Sequence, residues 1–240
     1  MRDTFLSARW ENLVMVNYDV NHEVLRPYLP AGVELDLHNN KCYVSLVGFL
    51  FKQTSLFSIT IPFFGTFEEI NLRFYVKRIA GDTVKRGVAF INETVPYKPV
   101  AWLANKRYKE HYIAIPTKSK IVNVDDTKNI VFEWRINKNW NHIKVNTALE
   151  SEQMIAGSVE DFIFEHYYGY TKINSKLSQE YKVNNPRWLV NKVMDFSIHC
   201  DFKSMYGDDF TFLSRHTPDS VIAAEGSPVT VDWKRTSFQT

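Results

Sequence analysis

The 240-residue chain carries 29 basic and 27 acidic residues, a formal net charge of +2, mixed along its length. No extended positive field is left to hold a phosphate backbone or an anionic membrane, so neither nucleic acid nor a membrane is an expected partner. Hydrophobic residues at 45% and charged residues at 23% give an ordinary globular balance, far from the regime of disorder.

One domain over 1–240 is the default at this length for a mainly β chain, and it is large enough to enclose a cavity without disulfides or a structural metal. The aromatic content of 15%, with 17 Phe, 12 Tyr and 6 Trp, favours pleated surfaces where large rings pack across strands. No stretch nears the roughly 20 apolar residues that span a bilayer. The opening MRDTFLSARWENLVMVNYDV, charged at Arg2, Asp3, Arg9 and Glu11, lacks the apolar core of a signal peptide. A cytoplasmic location is therefore expected. Cys42 and Cys200 lie far apart, outside any Cys-x-x-Cys pair or His-rich run, and are expected to be reduced, buried and structural.

In chain order, Trp10 to Val20 alternates imperfectly and predicts a strand, and Asn21 caps a short helix that Pro27 and Pro30 end. Leu35 to Leu37 and Cys42 to Phe51 predict a hairpin across the Asn39-Asn40 turn. An apolar run over 55–64, with Pro62 near its end, leads into FEEINLRFYV at 67–76, the clearest strand of the chain. Lys85 to Val95 is its predicted hairpin partner, closed by Pro96 and Pro99, and Val100 to Tyr108 has the apolar spacing of a helix. Strands follow at 122–124, 130–136 and 143–145, then a helix that Ser158 caps, then strands at 188–195, 210–213 and 220–233, the last with a bulge or break at Gly226 and Pro228.

Three clusters carry candidate chemistry. In FEEINLRFYV the strand period of two puts Glu69, Asn71, Arg73 and Tyr75 on one face and Ile70, Leu72, Phe74 and Val76 on the other. The polar face reads either as the solvent side of an antiparallel strand or as the lining of a closed sheet. In the second case Glu69 and Arg73 form a buried pair able to bind a carboxylate or polarise a carbonyl. In KRYKEHYIAIP, residues 106–116, the sequence sets Lys109, Glu110, His111 and Tyr112 in succession. A surface loop is the plainer reading. The functional one makes His111 an acid or base oriented by Glu110, and Lys109 a Schiff-base amine if it is desolvated. In EHYYGY, residues 165–170, Glu165 and His166 stand beside two tyrosines, where a hydrogen-bonded core histidine is the plainer reading. No helical His-x-x-x-His spacing joins His111 or His166 to carboxylates, and no phosphate-cradling or dinucleotide-binding glycine loop occurs, so neither metal nor cofactor is expected.

The segments WENLVMVNYDV, LRPYLPAGVELD, YVSLVGFLF, FEEINLRFYV, YKEHY, FEHYYGY and NPRW, in this order, resemble the YqjF-like family of bacterial proteins of uncharacterised function, over nearly the whole chain. The resemblance implies the fold of acetoacetate decarboxylase: an α+β, mainly antiparallel structure in which a curved, partly closed, barrel-like sheet surrounds a central cavity with a few flanking helices. That enzyme works through a lysine in a Pro-Lys-Lys motif, which this sequence lacks. Lys109 precedes an acid instead, which stabilises an ammonium, the reverse of what a nucleophilic amine needs. Relatives often carry His before the Pro-x-Trp motif where this chain has Asn185, ahead of Pro186, Arg187 and Trp188.

Two functions follow as expectations. The first is a protein that binds a small carboxylate or carbonyl compound in a cavity lined by Glu69, Asn71, Arg73, Tyr75, His111, Tyr112, Glu165 and His166. The second is a lyase or isomerase acting on a keto acid, with Glu110 or His111 moving protons. Exposed sheet edges leave a homo-oligomer open.

Overall fold

The computed structural model describes residues 4–60 and 64–239. Its strands are β1 (Thr4–Asp19), β2 (Glu34–Leu35), β3 (Tyr43–Leu56), β4 (Ile59–Thr60), β5 (Phe67–Ala80), β6 (Thr83–Val95), β7 (Tyr112–Ala114) and β8 (Thr117–Val124). They continue as β9 (Thr127–Ile136), β10 (Asn139–Gln153), β11 (Tyr168–Lys172), β12 (Leu177–Asn184), β13 (Leu189–His199), β14 (Ser220–Asp232) and β15 (Thr236–Gln239). Three short α-helices are set between them: α1 (Lys98–Tyr108), α2 (Val159–Phe164) and α3 (Phe202–Tyr206).

Pairing runs β11-β6-β5-β3-β1-β14-β12, and β12 pairs in turn with β11. Seven strands thus close into a ring, which leaves none of them with two free edges. The closing contacts are short: β11 meets β6 in parallel at Tyr168↔Gly87 and Gly169↔Val88, and β12 meets β14 at Val183↔Val231 and Asn184↔Thr230. A wing of β13, β10, β9 and β8 continues from β14 outside the ring.

Tight turns fix the hairpins. Gly81 (φ +61°) turns β5 into β6, and Asn137 and Lys138 (φ 50° and 71°) turn β9 into β10, the left-handed geometry that matches strand twist.

The two faces of β5 meet different surroundings. Ile70, Leu72, Phe74 and Val76 join Phe132, Trp134 and Ile143 of the wing in one apolar cluster. The other face turns into the ring, beside Phe67, Val47, Phe49 and Val88. Glu69 and Asn71 on the inner face are buried and Arg73 is half-buried, so the first two have no bulk solvent to turn to.

Three expectations are corrected. Glu34 and Leu35 pair with Lys77 and Val76 of β5, and the Asn39-Asn40 turn closes only an isolated His38↔Lys41 bridge, so the expected hairpin does not form. Residues 210–213 are not a strand: they lie in a 3₁₀ helix, Asp208–Arg215, where Phe210 and Leu213, three apart, share the buried face that a three-residue turn provides. The strands β11 and β12, which the sequence pattern did not reveal, complete the ring. Of the 55–64 run, residues 61–63 with Pro62 lie outside the described part.

At Gly226 and Pro228, β14 stays paired with β1 (Glu11↔Gly226, Arg9↔Pro228), while its other edge changes partner, from β13 at Ala224 to β12 at Thr230. Gly226 sits at φ +87°, and a Cβ there would lie 1.9 Å from the Trp10 carbonyl oxygen. Gly226→Ala is expected to destabilise the protein by ~2 kcal/mol or more through forced left-handed geometry and overlap, read as a lowered urea midpoint with an unchanged slope.

Candidate active site

Every strand of the ring contributes to one internal cavity of about 150 Å³. Its polar lining is graded along β5, on which Glu69, Asn71 and Arg73 point inward at two-residue steps.

At one end three glutamates converge. Glu69, Glu93 and Glu110 are 3%, 2% and 8% exposed. Asn71, Glu93 and Tyr112 lie in register across β5, β6 and β7. Asn71 Nδ2 donates to Glu69 Oε1 at 3.0 Å, Tyr112 Oη donates to Glu69 Oε2 at 3.4 Å, and Glu110 Oε1 accepts from Tyr181 Oη at 2.6 Å and Thr171 Oγ1 at 3.4 Å.

Burial pushes the Glu69 carboxyl up to about 8, against the hydrogen bond from Asn71, and the neighbouring Glu110 charge adds to the rise. Burial likewise raises Glu110 to about 7, opposed by the hydrogen bond from Tyr181 and the charge of Arg235. Glu93 is raised well above the carboxylate range by burial and by the charges of Glu110 and Glu69. Tyr112, buried among the three, stays a neutral donor. Like charges at this spacing cannot all ionise, so the group holds protons at neutral pH. Among the described residues no three metal-ligating side chains are placed to hold an ion.

The opposite end is cationic and basic. Arg73 forms no ion pair among the described residues, which corrects the expected Glu69–Arg73 pair. Its Nη2 lies 3.5 Å from Met15 Sδ, its guanidinium is 5.7 Å from the Tyr75 ring centre, and its buried Nε makes no hydrogen bond there. Four residues of strand separate it from Glu69, about 13 Å along the chain.

Close by, His166 is wholly buried, with Nε2 3.2 Å from Asp36 Oδ2, an oxygen that also accepts from Arg86 Nε at 2.6 Å. Asp36 falls to about 2: burial opposes this, but the hydrogen bonds from His166 and Arg86 and their charges prevail. His166 is depressed to about 4, by burial first, against its bond to Asp36. The imidazole is therefore neutral at pH 7, and donation from Nε2 to the Asp36 carboxylate leaves Nδ1 as a lone-pair acceptor with no partner among the described residues.

The remaining candidates sit elsewhere. Tyr75 is buried behind the lining, hydrogen-bonded at 2.6 Å to Ser45 Oγ. Lys109 is exposed at the C-terminal cap of α1, in left-handed geometry (φ 57°), and does not line the cavity. His111 is exposed and faces a second cavity of about 310 Å³, and Glu110 lines both cavities. Glu165 accepts from Tyr167 Oη at 3.1 Å outside the lining. Asn185 and Trp188 line the inner cavity, but no lysine does among the described residues.

Sequence reasoning missed Glu93 and Tyr181. Tyr181 lies on the unrecognised β12. Glu93 is aimed inward by a bulge: the register shifts by one residue between Leu72 and Arg73, so that Glu93 meets Asn71 instead of Ile70. The available signal was an acid inside the apolar run GVAFINETV.

A seven-stranded ring, closed around a cavity rich in titratable groups, places the protein in the acetoacetate decarboxylase-like fold. The chain belongs to the DUF2071 family of uncharacterized conserved proteins, whose profile matches residues 7–228. No curated protein matches the sequence. Among solved structures it is similar to the enduracididine biosynthesis enzyme MppR complexed with the condensation product of pyruvate and imidazole 4-carboxaldehyde, at 12% identity and a TM-score of 0.68 over 99% of this chain and 90% of that one. It is similar to acetoacetate decarboxylase from Legionella pneumophila subsp. pneumophila str. Philadelphia 1, at 9% identity and 0.63 over 95% and 88%. An acetoacetate decarboxylase-like enzyme from Sphingomonas wittichii RW1 matches at 10% identity and 0.65 over 99% and 94%. At these identities the likeness is one of fold.

A carboxyl raised from its ordinary 4.5 to about 8 binds more protons folded than unfolded between those values, so stability falls as pH rises through that window and levels off above it. Urea midpoints should therefore drop from pH 5 to pH 8, and Glu69→Gln should flatten the drop. An equally steep drop in the variant would remove Glu69 as its source.

Proposed function

We propose that the protein binds a small carboxylate or carbonyl compound in the inner cavity, with Arg73 as the anion clamp. The observation that carries this reading is Arg73, which lines the inner cavity without a carboxylate partner among the described residues. Arg73 is half-buried, and an anionic ligand in the cavity supplies a partner for its guanidinium through charge-assisted hydrogen bonds.

A second reading, a lyase or isomerase acting on a keto acid, draws on the glutamates. Glu69 near 8 and Glu110 near 7 are matched to proton transfer at neutral pH, where a general acid or base works best. In this reading Arg73 holds the carboxylate, the protonated members of the glutamate group donate to a developing oxyanion, and an ionised one withdraws a proton. A Schiff base has no amine to form on, because no described lining residue is a lysine. MppR has been crystallised with pyruvate, and its shared fold lends support to a keto acid here. The two free, buried cysteines fit a reducing compartment, and a cytoplasmic location is part of the proposal.

In a thermal-shift and calorimetric screen of small carboxylates, including pyruvate and acetoacetate, at least one acid is expected to stabilise the protein. Arg73→Ala should weaken it about tenfold or more, the ~1.5–3 kcal/mol of a hydrogen bond to a charged group. Binding left intact by that change would contradict the clamp. Borohydride treatment with either keto acid should leave no covalent adduct. A trapped lysine would overturn the amine-free mechanism.

A further inference from the structure

The walls between the two polar ends of the cavity are aromatic. Phe164, Trp188, Trp10 and Phe49 follow one another with ring centres 5.1, 6.2 and 5.0 Å apart, and all four line the cavity. Phe49 lies directly across from Glu69 in the β3–β5 register. Such rings offer edges and faces to another ring at offset or edge-on geometry. The cavity of about 150 Å³ is also the size at which an engineered apolar cavity takes up benzene, about 150 Å³.

The polar atoms left over in the lining add a second constraint. Trp10 Nε1, Asn71 Oδ1, Arg73 Nε, Glu93 Oε2 and His166 Nδ1 are buried atoms of residues that line the same cavity, and none makes a hydrogen bond to any described residue. Native interiors keep few such atoms, and each calls for a partner. The amide of Asn71 is oriented by donation from its Nδ2 to Glu69 Oε1, which leaves Oδ1 to accept. Asn71 therefore asks for a donor, and the Arg73 end asks for an anion. A three- or four-carbon keto acid satisfies the anion site and leaves the aromatic wall and Asn71 Oδ1 untouched. One ring with polar groups at opposite ends reaches both.

We infer that the ligand is a monocyclic aromatic acid with a hydrogen-bond donor on the ring: its carboxylate is held by Arg73, its ring lies against Trp10, Phe49, Phe164 and Trp188, and its donor meets Asn71 Oδ1. This inference rests on the anion-clamp reading of Arg73 and narrows it to a ligand class.

The test is isothermal titration calorimetry of the whole protein with 4-hydroxybenzoate, benzoate, cyclohexanecarboxylate, pyruvate and acetoacetate as probes. The expected order has 4-hydroxybenzoate tightest, by tenfold or more over the two keto acids and over cyclohexanecarboxylate, with benzoate between because it lacks the donor. Quenching of tryptophan fluorescence should accompany binding. Phe49→Leu, which keeps an apolar side chain of similar bulk, should cut the preference for 4-hydroxybenzoate over cyclohexanecarboxylate severalfold. If pyruvate or acetoacetate binds as tightly as 4-hydroxybenzoate, the aromatic inference is overturned while the anion clamp stands. If cyclohexanecarboxylate equals benzoate, the wall does not select aromaticity and the inference fails in that part. Should no acid bind, both this inference and the clamp fall.

Discussion

Three glutamate carboxyls packed inside one closed ring cannot all be charged, and much of the site follows from that constraint. Removing a carboxylate from water costs several kcal/mol after relaxation, and each ionised neighbour raises the cost for the next. The cluster lowers that cost by keeping protons, by the donors Asn71, Tyr181 and Thr171, and by the charge of Arg235 near Glu110. Arg73 opposes the rise of Glu69 only as the least of its causes, because the period of strand β5 sets the guanidinium two inward positions further along. A single strand thereby carries a proton-rich end and a cationic end, with Asn71 between them.

That separation gives the cavity a direction. A ligand enters a field that runs from Arg73 and the lone pair of His166 to carboxyls that hold protons. The Asp36, Arg86 and His166 group supports the cationic end. Asp36 lies between the guanidinium of Arg86 and the imidazole, which fixes the histidine in one tautomer, while burial keeps it uncharged against that contact, and Arg73 remains the cation that meets an anion. The fold is shared with acetoacetate decarboxylase, but this cavity offers carboxyls where amine chemistry would need a lysine. Function is set by the side chains that a fold holds in place rather than by the fold itself.

Much of the architecture was legible in the sequence because it is carried by local signals. The alternation in FEEINLRFYV assigned Glu69, Asn71, Arg73 and Tyr75 to one face, and the Ser158 cap marked the start of α2. The pairing of distant segments was not legible. Leu35 pairs with Val76 rather than within a local hairpin, and β11 and β12 close the ring through two-residue contacts that no periodicity encodes. The site was legible to the same extent. Glu69, Asn71, Arg73, Glu110, Tyr112 and His166 do come together around the cavity, whereas Lys109 and His111, adjacent to Glu110 in sequence, are carried outward by the helix cap and by the strand alternation that buries Glu110 and Tyr112. Glu93 was hidden because a one-residue bulge reverses the parity on which a face assignment depends. The open guanidinium of Arg73 was hidden for a plainer reason: spacing of two on a strand puts side chains on one face without bringing an acid and a base into contact.

The central claim is that the buried glutamates hold protons at neutral pH. Infrared difference spectroscopy of the carboxyl C=O stretch during a pH titration reads this directly, with Glu69→Gln and Glu110→Gln as assignments. The account expects protonated-carboxyl absorbance at pH 6.5 that declines as the pH rises, in steps that belong to the cluster rather than to one residue, and partial loss of that signal in each variant. Absence of any protonated-carboxyl band at pH 6.5 would contradict it, because the three side chains would then be ionised together and the cavity could not have the electrostatics described.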